Sequence, residues 1–475
     1  MATPSARCRR RAPARPPHRP GRAGPVATRR PGTVERTTMP VSRRTLLTAS
    51  GAIAAGAATL TAAACGSGGE MDPEEPVDLD VPDSALTGSI GLLTPDFVGD
   101  ARAPLDEEII APFTERTGVS VSVDQVDWNK LNEKISTGIA GGIIADVIMT
   151  GVGWTQPFAE KGIFAEIPAD FIESLGFDES VLVSTRFEGK YYSLPQALDL
   201  RFLGTHPDLL AARGITERPA SLDELAAMAL ELTGDGVVGL DYLSGSAGSA
   251  RQAFVFLLYA FGGCMFSEDG LTPMLHEEPG RLALQWMLDR ISEGSIDYDL
   301  QAAEGQPSPF QQRKAAISLV STGNWVTWTQ MTPELCEEGA VDLHLMPSGA
   351  GGDPVMFQGG TFLSLSSLSK NKDAAGAFMK HMLDPEILGI ANAATGKVPP
   401  TPDVPPNEQI ESSLLTQFGL QNLPYAGATE GGSAAYMEVR TNLDGIVETC
   451  LTGRASVQQT LDDMKALCDG AISRI

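Results

Sequence analysis

The stretch Val119-Ser120-Val121-Ser122-Val123, followed by Leu131, Ile135 and Ile139 and then by Ala145-Asp146-Val147-Ile148-Met149, decides the fold class. The valines alternate at period two, as on a strand with one buried face, and the next three apolar residues recur every fourth position, as on a helix stripe. A strand hands over to a helix, and a second strand is expected at 145–149. Working outward, the same alternation returns. Ser221-Leu222-Asp223-Glu224 is a capping box that opens a helix running through Leu232, and a strand is expected at 237–242. A helix is predicted over 278–292, strands over 315–320, 341–346 and 361–365, and helices over 408–475. Strands that alternate with amphipathic helices define an α/β fold.

The N-terminal segment has a different character. Residues 1–38 carry ten Arg, no Lys and one acidic residue, Glu35, with no apolar periodicity, so they read as a disordered basic extension, with a second candidate start at Met39 that would leave them outside the translated protein. From Met39 the chain runs through Ser42-Arg43-Arg44-Thr45-Leu46-Leu47 into an Ala-rich apolar run, 45–64, that ends at Cys65. Charged, apolar and small-residue regions in this order make 39–64 an export signal. The first motif resembles a twin-arginine signal. Ala62-Ala63-Ala64-Cys65 resembles a lipobox, which implies cleavage before Cys65 and a diacylglycerol on its thiol, although Ala62 stands where lipoboxes favour Leu. The alternative, a spanning anchor over 45–64, has only about the minimum length and is diluted by five Thr or Ser and two Gly. Gly66-Ser67-Gly68-Gly69 and the acidic residues beyond make 65–85 a flexible tether.

Composition limits the partners. The formal net charge is −25, and residues 1–64 hold twelve of the arginines and only one glutamate, so the remainder is more acidic still. Nucleic acid is therefore excluded as a partner, and so is an anionic membrane surface bound by charge. Roughly 390 residues exceed what one core serves, and two lobes are expected. Four cysteines remain beyond Cys65, namely Cys264, Cys336, Cys450 and Cys468. They permit up to two disulfides or four buried thiols, and none sits in a C-x-x-C pair that would suggest zinc.

Several motifs then fall in a familiar order. Phe113-Thr114-Glu115-Arg116-Thr117-Gly118-Val119, Ala145-Asp146-Val147-Ile148 and Phe158-Ala159-Glu160-Lys161-Gly162-Ile163-Phe164 come first. Gly189-Lys190-Tyr191-Tyr192-Ser193-Leu194-Pro195, Pro219 to Leu225, Asn324-Trp325 and Thr395-Gly396-Lys397-Val398-Pro399 follow. The ordered set, covering 86–475, resembles the family 1 extracellular solute-binding proteins, which include maltose-binding proteins. The resemblance implies a type II periplasmic-binding fold with two α/β lobes, a hinge and an interlobe ligand cleft. It implies lobe 1 at 86–198 with 357–397 and lobe 2 at 199–356 with 398–475, with crossings near 196–200 and 357–360. It also implies a monomeric, exported, lipid-anchored protein on the outer face of the membrane, which captures a sugar or oligosaccharide and delivers it to the permease of an ABC importer. A peptide or polyamine is the alternative solute, and a secreted hydrolase is the remote one.

A sugar offers hydroxyls at its edges and C–H groups on its faces, so its site needs an aromatic plate beside carboxylate, amide and guanidinium groups. Trp128, Trp154, Trp325 and Trp328 stand at helix starts or after strands, where α/β folds carry ligands. Trp325, with Asn324 beside it, is the first candidate plate, then Trp154 and Trp128; for each the alternative is a packed core aromatic, which is the preferred reading of Trp328. Asp127 adjoins Trp128 as a candidate acceptor. Asp199 occupies the place where the family often carries a ligand-binding acid. Arg201 lies two residues on along the same face, so the two could bind ligand or form a hinge salt bridge. Gly359-Gly360-Thr361 would let backbone approach ligand, or form a plain turn. Where the family shows Tyr-Asn-Lys, this chain has Gly204-Thr205-His206, which weakens carry-over of the local pocket. Neither cofactor nor metal is expected. No nucleophile elbow, P-loop or metalloprotease motif occurs, so the chain reads as a binding protein and not an enzyme.

Overall fold

The computed structural model describes residues 77, 79, 81–243, 249–303, 305–349 and 351–475. The basic extension, the export signal and Cys65 lie outside the described residues. Val77 and Leu79 are 5% and 7% exposed, and Val77 N donates to Glu166 O at 3.2 Å. Part of the 65–85 segment is therefore docked on the fold and is not free tether.

The strands are β1 (Ser89–Thr94), β2 (Ser120–Gln125), β3 (Val147–Gly151), β4 (Arg186–Phe187), β5 (Lys190–Tyr191), β6 (Leu194–Thr205), β7 (Val238–Asp241), β8 (Ala315–Ser321), β9 (Asp342–His344), β10 (Phe357–Leu365) and β11 (Ala428–Thr429). Nine of them form one sheet in the order β2-β1-β3-β10-β6-β8-β7, with β11 on β10 and β9 on β6, while β4 and β5 pair separately. β1, β2 and β3 run parallel, with Ser89 opposite Ser120 and Leu92 opposite Val147. β10 is antiparallel to both β3 and β6.

Twelve-residue β6 joins the two ends of this sheet. Its first part pairs with β10, Gly359 lying opposite Asp199. From Arg201 to Thr205 it pairs with β8, and its last three residues pair with β9. Period-two alternation sends neighbouring residues of these strands into two different cores. Leu93, Ile148 and Leu203 join one with the helices Leu222–Leu232, Ser249–Ala260, Glu278–Ser292, Tyr436–Leu451 and Val457–Ile472. Leu92, Val147, Met149, Leu200 and Phe202 join the other, with the helices Lys372–Met382 and Pro385–Thr395.

The expected helices are present, two of them with the side-chain caps that follow. In Trp128–Gly141 the buried residues are Leu131 and Ile135, Asp127 Oδ1 accepts from Asn129 N, and Gly142 closes the end in the left-handed region. Ser221 Oγ accepts from Glu224 N at 3.1 Å, and Glu224 reaches back to Ala220 N at 2.7 Å. Two expectations need correcting. β10 starts four residues before 361, which puts Gly359 and Gly360 inside a strand and not in a turn. The C-terminal region also contains the short strand β11 among its helices. All four described cysteines are free thiols, with Cys264, Cys450 and Cys468 buried.

Candidate functional site

The loops after β1, β2 and β3 form one cluster. Asp96 follows β1, and the next residue, Phe97, has φ 60°. Gln125, at the end of β2, holds this unusual turn by donating to the carbonyls of Asp96 (2.9 Å) and Phe97 (2.5 Å). The Asp96 carboxylate accepts from Lys397 Nζ and from Thr361 Oγ1, each at 2.5 Å, and Lys397 Nζ also donates to Thr361 Oγ1 at 2.6 Å. Only 7% of the Asp96 side chain and 15% of the Lys397 side chain is exposed.

Lys397 also builds the aromatic wall. Its Nζ lies 5.7 Å from the centroid of the half-buried Trp128 ring, a cation–π arrangement. Trp128 meets Trp154 edge to face, at 6.5 Å and 80°, and the Arg440 guanidinium covers Trp154 at 5.5 Å. A Cβ on Gly151 would stand 3.2 Å from Trp128 and 3.3 Å from Trp154, so glycine there keeps both rings in place. Trp154 itself is 2% exposed. It braces Trp128 from within the core and presents no open face, which corrects its expected place as a plate.

The second cluster gathers around the middle of β6. Asp199 and Arg201 are both partly exposed and share a face. Arg201 Nη2 approaches Asp199 Oδ2 at a long 3.5 Å, Nη1 donates to Gln252 Oε1 at 2.5 Å, and the guanidinium lies 5.7 Å from the Phe357 ring centroid. Thr322 Oγ1 donates to Asp199 Oδ1 at 3.4 Å and accepts from Leu200 N at 3.2 Å. Asn324 opens the helix Asn324–Met331, and its Oδ1 accepts from Ser321 N at 2.7 Å. Trp325 is half-buried at the start of that helix, while Trp328 is 2% exposed and stacks on Phe310 at 5.8 Å.

The glycines of β10 have separate roles. Gly360 has φ 134°, and a Cβ there would collide with the carbonyl of Ala197. It is glycine because β6 crosses closely, which answers the question of whether ligand or backbone requires it. A Cβ on Gly359 would sit 3.7 Å from the Asp199 carboxylate, leaving the space above that acid open. Thr361 is fully buried and occupied by Asp96 and Lys397. Gly396, beside Lys397, packs against Val326, beside Trp325, and a Cβ there would lie 2.5 Å from Val326 Cγ2. The chain thus brings the neighbours of the two aromatic candidates together.

A buried ion pair fixes the segment after β11. Arg251 Nε donates to Glu430 Oε1 at 2.5 Å, with 6% and 8% of the side chains exposed. Burial disfavours the guanidinium charge, but Glu430, Tyr436 and Asp444 together outweigh it and raise the Arg251 pKa. Gly153 and Gly431 touch backbone to backbone, since a Cβ on Gly153 would stand 2.8 Å from Gly431 Cα. Asp96, Lys397 and this pair escaped the sequence reading. The only sequence signal for any of them was the position of Lys397 inside Thr395-Gly396-Lys397-Val398-Pro399.

A nine-stranded mixed sheet with long central strands β6 and β10 and helices packed on both faces is the architecture of a type II periplasmic-binding fold. The sequence model described as bacterial extracellular solute-binding protein matches residues 108–416, and the chain belongs to that family. A Brucella abortus protein named as a binding protein is 27% identical over 287 residues, 57% of this chain. The chain spans 66% of that relative's length, just under two thirds. The diacetylchitobiose binding protein of Streptomyces coelicolor is 24% identical over 350 residues, 71% of this chain and 78% of its own. Among solved structures, the GacH receptor of Streptomyces glaucescens, described unliganded and with acarbose, superposes with TM-score 0.67 at 21% identity, covering 82% of this chain and 99% of that one. Family membership makes this an extracellular protein. Among the described residues, no helix is long and apolar enough to cross a membrane.

Proposed function

We propose that this chain captures a sugar or short oligosaccharide and delivers it to the membrane permease of an ABC importer. The observation that carries the reading is two half-buried tryptophans, Trp128 and Trp325, accompanied by Asp127 and Asn324 at their helix starts and by Asp199 and Arg201 in the middle of β6. This is the mixture of apolar plate and charged hydrogen-bonding groups that a hydroxylated ring requires. Gly359 leaves Asp199 open, and Asp96, Thr361, Lys397 and Trp154 hold Trp128 in position.

The lobes are assigned to 86–198 with 357–397 and to 199–356 with 398–475. This division is supported by the change of β6 partner from β10 to β8 at Arg201. Closure about β6 and β10 would bring both tryptophans onto the solute. The diacetylchitobiose and acarbose ligands named for the two relatives are both carbohydrates, which favours the same class here. Acylation of Cys65 would tether a monomer to the outer face of the membrane. Calorimetric titration of the delipidated chain against sugars, polyamines and short peptides tests the reading. It predicts heat with a carbohydrate, whereas binding confined to a polyamine or peptide contradicts it.

A further inference from the structure

The apolar alternation just before β1 is more than a tether needs. Residues 66–76 are Gly, Ser, Pro and acids apart from Met71, the composition of a spacer. Val77, Leu79 and Val81 instead alternate with Asp78 and Asp80, the period of an extended segment with one apolar face. Val77 and Leu79 are buried in the same core as Phe378 and Met379 of the helix Lys372–Met382, and Val81 packs against that core. Backbone groups are engaged as well. Val77 N donates to Glu166 O at 3.2 Å, and Leu79 O accepts from Lys380 Nζ at a longer 3.5 Å. Asp83 then lies 3.5 Å from Arg116, and Leu86 is 5% exposed. Glu166, Lys380 and Arg116 all fall within 86–198 and 357–397, the segments assigned to lobe 1.

Chain length turns this docking into a restraint. Twelve residue steps separate Cys65 from Val77, and twenty-one separate it from Leu86. Fully extended, they span at most about 43 Å and about 76 Å. Docking at Val77 therefore takes away nearly half of the reach and fixes the outlet of the tether beside the helix Lys372–Met382. A lipid on Cys65 then limits how far this side of lobe 1 can stand from the bilayer, and sets only a looser limit on lobe 2.

We infer that Val77, Leu79 and Val81 form a clip that seats the membrane tether on lobe 1, so that the side of lobe 1 bearing the helix Lys372–Met382 is the membrane-proximal one and lobe 2 is the lobe that swings. The inference rests on acylation of Cys65 and on the lobe assignment above. Two measurements on the mature chain test it, with Val77→Ser plus Leu79→Ser as the released variant and Val77→Ser alone as the milder one. The first is digestion by a protease that cuts before Asp. The parent should be cut before Asp72 and resist cutting before Asp78 and Asp80, and release should speed those two cuts at least about tenfold, since only the local opening changes. The second places the acylated chain in liposomes that carry an acceptor-labelled lipid. A donor dye is attached at Asp373→Cys, at the start of the helix Lys372–Met382, or at Glu231→Cys, on the helix Leu222–Leu232, with Cys336→Ser removing the half-buried thiol. Energy transfer should be about twofold or more stronger from position 373 than from 231, and the released variant should narrow the difference. Parental cutting before Asp78 as fast as before Asp72, or no acceleration in either variant, overturns the clip. Equal transfer from both positions in the parent overturns the orientation. A mature chain whose mass shows no acyl group on Cys65 overturns the anchoring reading and the role of the clip with it.

Discussion

Replacing Lys397 with methionine removes an ammonium that three groups share, and the structure sets the size of the effect. Asp96 is left with the Thr361 hydroxyl as its only side-chain donor while its side chain is 7% exposed. Breaking a buried pair from one side costs about 3–5 kcal/mol. Roughly 400 folded residues at about 2.1 cal/mol/K each give an unfolding entropy near 0.8 kcal/mol/K, so the melting temperature should fall by about 4–6 °C. Because Trp128 also loses its cation, its emission should shift even without solute. Calorimetric melting of the parent, Lys397→Met, Asp96→Asn and the double variant separates pair from background. The double variant should recover most of the loss, since it leaves no uncompensated charge. If Lys397→Met melts within about 1 °C of the parent, the cluster does not hold this end of the sheet and the argument fails.

Three further outcomes follow from single features. Burial pushes the His344 pKa down to about 4 from 6.5. The unfolded chain therefore binds the extra proton first. Stability is complete above pH 6.5 and declines by about 3 kcal/mol as the pH falls toward 4, and His344→Gln should flatten melting temperature against pH across that window; an unchanged slope contradicts this. Gly360→Ala should cost at least about 2 kcal/mol because its φ is 134° and β6 is in the way, and a parental denaturation midpoint would refute the strain. Cys65→Ser should release a normally folded protein from membranes, whereas a variant that stays bound with its apolar run uncleaved excludes acylation.

Local structure was legible where local chemistry decides it. The valines at 119, 121 and 123, the leucine and isoleucines that follow, and the Ser221 capping box each state their geometry within a few residues. Elements made by distant pairing were not legible. β11 is two residues long and exists because Phe357 and Gln358 pair with it, and β10 runs back through two glycines because β6 lies alongside. The site divides in the same way. Tryptophans after strands could be picked out as candidates, yet Trp128 and Trp154 carry the same local signal. Packing against Phe158 and the Arg440 side chain buries one of them. Asp96 and Lys397 are ordinary charges until a fold brings positions 301 residues apart into contact.

The most direct test of sugar capture is to measure melting temperature and sugar affinity together for the parent and Trp325→Ala. A half-buried plate at a helix start should leave the melting temperature nearly unchanged, while affinity falls by about 1–3 kcal/mol, roughly 5- to 150-fold. The ligand-induced change in tryptophan emission should shrink in parallel. A variant that melts far below the parent yet binds sugar equally well when folded would place Trp325 in the core and contradict the account.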